Sequence, residues 1–170
     1  MTRILDQVRA HLRGHFGTEP DAASVTFLGA EPIGVLRFRS ATDEFVTYVS
    51  LGCSRNPMVD PTESVADPLR GPRAEVVLRL RNPGPATGLA RSLATLAATP
   101  AVDGVVLSAD ALIDLGAPLW ERVPYTAVLL GRSDIPDLPL PPPRNPVRFL
   151  SATPVTATEA ARIRLKRAAT

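Results

Sequence analysis

The sequence predicts an α+β domain: a mixed, largely antiparallel sheet with helices packed on one side of it. Three observations predict this. Segments of helical spacing and segments of strand spacing both occur, but they do not alternate regularly, which disfavours a doubly wound parallel sheet. A chain of 170 residues matches one domain able to bury about 70% of its unfolded surface. With 45% hydrophobic and 21% charged residues, it fills a core and still solvates its surface, which excludes wholesale disorder. Residues 1–170 are therefore read as a single domain.

The elements follow in order. Thr2 is placed to cap a first helix carrying Ile4, Leu5, Val8, Leu12 and Phe16 at helical spacing, with Gly14 and Gly17 to end it. Residues 25–28 and 33–38 read as short strands joined through Gly29, Glu31 and Pro32. Phe45–Leu51 is a third, rich in β-branched and aromatic residues. Over 52–72 the periodicity stops among four prolines and two glycines. An irregular stretch of that length is usually functional or disordered. Residues 74–80 restore a strand, with Val76, Leu78 and Leu80 on one face and Glu75, Val77, Arg79 and Arg81 on the other.

After the break at Asn82-Pro83-Gly84-Pro85, residues 86–98 place Leu89, Leu93, Leu96 and Ala97 on one helical stripe. Residues 105–107 and 112–115 are brief extended pieces, and 126–130 is an apolar run of strand length. Residues 133–146 hold six prolines and read as an extended surface excursion between two strands, or as a proline-rich ligand for a recognition domain. A last strand, 147–152, precedes a capping box, Thr156-Ala157-Thr158-Glu159, and a C-terminal helix bearing Arg162, Arg164, Lys166 and Arg167. Those cations suit the negative end of the helix dipole without any ligand.

Composition narrows the function classes. Nineteen basic residues against seventeen acidic ones leave a net charge of +2, too small to imply a nucleic-acid partner. All the basic residues but Lys166 are arginine, a bias that reads as GC-rich codon usage. The lone Cys53 excludes an intrachain disulfide and a cysteine-based zinc site. Arg3, Asp6, Arg9 and Arg13 interrupt any signal-peptide core, and no apolar run approaches the roughly 20 residues of a membrane span. A cytoplasmic protein without a membrane partner is expected.

Candidate chemistry is sparse. A hydrolase needs a nucleophile, a base and a group to orient the base. His11 and His15 lie one turn apart on the first helix, where they could share a metal only with a third ligand. Partly buried structural histidines are the expected reading. Cys53 and Ser54 stand where a strand enters a loop, without the second glycine of a nucleophile elbow. No phosphate-binding glycine loop is present. Neither Asp43-Glu44 nor Asp110 with Asp114 is marked as an acid/base couple. Aromatics are 5% of the chain and scattered, unlike a nucleic-acid surface. No catalytic residue, metal or cofactor is expected.

Several stretches, taken in order, carry a resemblance. They are Phe45-Val46-Thr47-Tyr48-Val49-Ser50-Leu51-Gly52-Cys53-Ser54-Arg55-Asn56-Pro57-Met58, then Arg73-Ala74-Glu75-Val76-Val77-Leu78-Arg79-Leu80, then Leu93-Ala94-Thr95-Leu96-Ala97. Ala127-Val128-Leu129-Leu130 and Val147-Arg148-Phe149-Leu150 follow, with Pro154-Val155-Thr156 and Glu159. Over residues 11–167 they resemble the suppressor-of-fused domain family: a strand entering a Gly-x-Ser turn and Pro-Met, an Ala-Glu-Leu strand, a Leu-Ala helix and a Phe-Leu strand. The family's Gly-His pair after the second helix is missing, since Ser108-Ala109-Asp110 stands there.

The resemblance implies a mixed α+β module that binds protein. Animal members restrain a transcription factor by gripping an extended peptide, and bacterial members are often encoded beside polymorphic toxins and regarded as their immunity proteins. An aspartate after the second helix contributes to that grip, and Asp110 is similarly placed. Its companion aromatic is unmatched, so Asp110 reads equally as a surface carboxylate. The partner-binding residues expected are Asp110, Ser54, Arg55 and Met58. The leading expectation is an intracellular, non-catalytic binder, an immunity protein that sequesters a toxin. The alternatives are a regulatory binder of a transcription or signalling protein, a hydrolase using Ser54 or Cys53 (or a metal enzyme using His11 and His15), and nucleic-acid binding through the C-terminal cations.

Overall fold

The computed structural model describes residues 3–42, 44–59, 62, 67–81 and 84–169. Helix α1 (Ile4–Phe16) is followed by strands β1 (Asp21–Val25), β2 (Ile33–Arg39) and β3 (Phe45–Leu51), then a single 3-10 turn at Cys53–Arg55. Strand β4 (Arg73–Arg81), helix α2 (Leu89–Asp103), β5 (Leu112–Asp114), β6 (Tyr125–Arg132), β7 (Val147–Thr156) and α3 (Ala157–Ala168) complete the chain. The seven strands form one sheet in the order β1-β2-β3-β4-β7-β6-β5. Every neighbouring pair is antiparallel except β4 with β7. The mixed, mostly antiparallel α+β sheet expected from the sequence is the one observed.

Helices cover both faces rather than one. Successive strand residues point to opposite sides, and here both sides are apolar. Val35, Val76, Leu78 and Leu150 pack with Leu89, Leu93 and Leu96 of α2. Their chain neighbours Leu36, Val77 and Phe149 pack with Val8 and Leu12 of α1. The two apolar faces are the reason: a sheet apolar on one side only would need a single helical layer. Each fully buried leucine or valine contributes about 1.5–3 kcal/mol relative to exposure, so neither layer is dispensable. Helix α3 closes a smaller cluster through Ala160 against Ala127 and Val155.

Several boundaries differ from expectation, each for a local reason. Gly14 stays inside α1, which ends at Gly17 (φ 70°), whose N–H reaches Arg13 O at 2.8 Å. Thr2 lies outside the described residues. The first strand is β1, not residues 25–28. As an edge strand it is almost wholly exposed and needs no apolar alternation, while Leu28 is fully exposed. Helix α2 begins later and runs past Pro100. Proline cannot bond the carbonyl four residues back, and the Thr99 hydroxyl takes that carbonyl, Leu96 O, at 2.7 Å. Residues 105–107 form no strand. Residues 133–146 do bridge two strands, yet Ile135 and Leu140 are buried with α1 and Leu138 pairs with Val147. The capping box at Thr156 and Glu159 is present in both directions. Among the described residues, no helix is long and apolar enough to cross a membrane.

Candidate functional site

Strand β4 carries Glu75 with no exposed surface. A buried carboxylate is costly unless donors surround it, and residues 50–54 supply five. Ser50 Oγ donates at 2.7 Å, Gly52 N at 2.9 Å, Cys53 N at 3.2 Å, Ser54 N at 2.9 Å and Ser54 Oγ at 2.5 Å. The β3–β4 ladder runs only as far as Val49 opposite Val77. Beyond it, the backbone N–H groups of residues 52–54 turn onto the carboxylate instead of onto a strand. Ser50 Oγ in turn accepts from Val76 N at 2.8 Å, which ties the turn back to β4.

Arg73, two residues earlier and 2% exposed, holds the opposite side. Its Nη1 donates to Ser54 O at 2.9 Å and Arg55 O at 3.0 Å, and its Nη2 to Leu69 O at 3.4 Å. Ser54 is thus held through its N–H and hydroxyl by Glu75 and through its carbonyl by Arg73. Sequence periodicity alone put Glu75 beside Arg79 and Arg81 and gave it no role. Val77, apolar between them on the same face, is the signal that this face is not simply wet.

The electrostatics of the turn oppose nucleophilic chemistry. Burial pushes the Glu75 carboxyl above its ordinary value, and the donors from Ser54, Gly52 and Ser50 draw it back. Burial, and then the charge of Glu75, push the Cys53 thiol well up, whereas a reactive cysteine needs a stabilised thiolate. Native Cys53 is therefore expected to react with an aromatic disulfide reagent only as fast as the domain opens, and at once in denaturant. Immediate stoichiometric labelling of the folded chain would contradict that burial. His11 donates from Nε2 to Pro136 O at 2.7 Å and stacks on Phe149 with centroids 5.5 Å apart. His15 is exposed and edge-on to Phe16. Among the described residues, no group of three or more His, Cys, Asp or Glu could hold a metal.

The four expected contact residues fare differently. Ser54 is wholly buried and Met58 is 5% exposed, its Sδ accepting from Leu107 N at 3.2 Å. Both face inward in the isolated chain. Arg55 faces outward, ion-paired with Glu31 at 2.8 Å and donating to Pro32 O at 3.2 Å. It lies on the wall of two surface cavities, one of about 830 Å³ beside α1 and one of about 290 Å³ beside α2. Asp110 is exposed in the turn before β5. Its φ of 73° is one that aspartate tolerates, and its N–H reaches Leu130 O at 2.7 Å. Ser54, Arg55 and Met58 share one segment; Asp110 belongs to another, and Leu107 on Met58 ties the two regions. Two of the C-terminal cations are spent internally: Arg164 on Asp114 at 3.4 Å and Arg167 on Asp110 O.

A sheet covered on both faces, with a buried carboxylate that holds a turn, defines a scaffold that presents loops. The chain belongs to the suppressor of fused family: the family model for suppressor of fused protein (SUFU) matches residues 29–170. Solved structures share the fold at low identity. A chain of the Sufu–Fu complex crystal structure superposes with a TM-score of 0.66 at 17% identity, covering 95% of this chain and 79% of that one. A putative SUFU homologue from Neisseria gonorrhoeae gives 0.60 at 19% identity, with 93% and 80% covered. Drosophila Suppressor of Fused gives 0.60 at 17% identity, with 91% of this chain but 42% of that one covered. No curated protein matches the sequence.

Proposed function

We propose that this domain is a non-catalytic module that binds another protein, with residues 52–58 as its braced platform. The observation that carries the reading is Arg55, a cation raised from a rigidly bonded turn onto the wall of two surface cavities. Recognition residues concentrate on loops held by a rigid scaffold. Asp110 is a second contact in this reading. It precedes β5, a three-residue strand at the edge of the sheet, and an extended partner segment can add to such an edge. Ser54 and Met58 support the platform from beneath. Because a similar fold is found in the Sufu–Fu complex, a regulatory binder has more behind it than an immunity protein sequestering a toxin. The toxin remains a second partner class for the same surface.

Co-expression with the products of the adjacent genes tests this reading. A stable complex is expected, and Arg55→Glu should weaken it about tenfold or more while the fold persists. A complex that keeps full affinity in Arg55→Glu and in Asp110→Ala would overturn the assignment of this surface. A toxin as the captured neighbour would favour the immunity version, a regulator the other.

A further inference from the structure

The cavity beside α1 has a composition of its own. Its floor is apolar, from Ile4, Leu5, Leu51 and Pro141, and its volume of about 830 Å³ is in the range of specific ligand pockets. Four arginines line it: Arg3, Arg9, Arg55 and Arg144. Arg55 is partnered by Glu31. Among the described residues, Arg3, Arg9 and Arg144 form no side-chain ion pair or hydrogen bond, while Asp6 is the remaining acid of the lining. Arg144 also stands close enough to the buried Arg73 for the two cations to repel. An anion at Arg144 would relieve that repulsion.

We infer that this groove binds an acidic peptide segment of the partner protein, one in which carboxylates flank a bulky aliphatic or aromatic side chain. The inference rests on the protein-binding reading above and names the partner chemistry at that surface. The arginines offer planar forks that match carboxylates two bonds at a time, and the apolar floor takes the side chain between them. Such a floor has no use for a bare polyanion. Nucleic-acid affinity comes from neutralising a run of phosphates, and among the described residues the lining offers three arginines not already paired, too few for such a run.

The test pans the full-length chain against a random peptide display library, then measures the best enriched peptide by fluorescence anisotropy at low salt. Enrichment of Asp and Glu around Leu, Ile, Met or Phe is expected. Replacing its carboxylates by amides, or making the double charge reversal R9E/R144E, should each weaken binding about tenfold or more, with the domain still cooperatively folded. Enrichment of neutral or basic sequences would overturn the proposal. So would R9E/R144E binding the peptide at wild-type strength, or a single-stranded oligonucleotide outcompeting it. If the complex with a neighbouring gene product survives R9E/R144E but not Arg55→Glu, this groove is refuted and the binding reading stands. If neither variant nor Asp110→Ala affects that complex, both this groove and the assignment of the binding surface fail.

Discussion

Glu75→Ala is expected to destabilise the domain by about 4 kcal/mol, because removing one partner of a buried charged network leaves the others unsatisfied. Three backbone N–H groups and two hydroxyls converge on this carboxylate. None has an alternative acceptor within the β3–β4 ladder, which has already ended at Val49. For a domain of this size the loss corresponds to roughly 10 °C in thermal midpoint. A graded series separates the lost acceptor from the lost volume. Glu75→Gln keeps one carbonyl oxygen but turns an amide donor toward a cluster of donors, so about 2 kcal/mol is expected. Ser54→Ala removes one hydroxyl and leaves the backbone bonds, so about 1 kcal/mol is expected. Urea unfolding of the three variants checks the order. A Glu75→Ala variant within 1 kcal/mol of wild type, on the scale of an ordinary surface substitution, would show that water replaces the carboxylate and that the turn needs no brace.

The sheet was legible because its central strands are apolar on both faces or strongly β-branched. Phe45–Leu51 is found at the residues its composition indicates, and β2, β4 and β6 lie within two residues of their expected limits. The edge strand was not legible, since Asp21–Val25 buries almost nothing and so carries no pattern. The second helical layer was missed for a related reason. Val77 beside Glu75 and Arg79 reads as an isolated apolar residue until α1 and Ile135 are seen to cover it. At the candidate site, family resemblance pointed to residues 52–58, while the residues that hold this segment in place, Arg73 and Glu75, lie about twenty positions away. Periodicity reports which way a side chain points. It does not report that a turn from another strand will arrive to meet it.

Gly52→Ala is expected to cost about 3 kcal/mol, the range for an added group that must displace packed neighbours. Gly52 has φ 156° and ψ −34°, and an added Cβ would lie 2.8 Å from Ile33 Cδ1 and 3.3 Å from both Ile33 Cα and Pro32 O. The first contact is the tip of a side chain and can be removed; the other two are backbone. Ile33→Val deletes that tip at a cost of about 1 kcal/mol on its own. The double variant G52A/I33V should then be less destabilised than the sum of the two singles, because the clash is shared between them. Strict additivity would show that the contact with Ile33 Cδ1 is not the cause. The consequence reaches function through position. Gly52 N is one of the donors on Glu75, and Pro32 O accepts from Arg55, so a Cβ here presses on the groups that seat the platform and its cation. Partner affinity in Gly52→Ala, measured well below the thermal midpoint, should therefore fall with the fold still intact and recover in part in G52A/I33V. Unchanged affinity would mean that Arg55 is positioned without the turn that carries it.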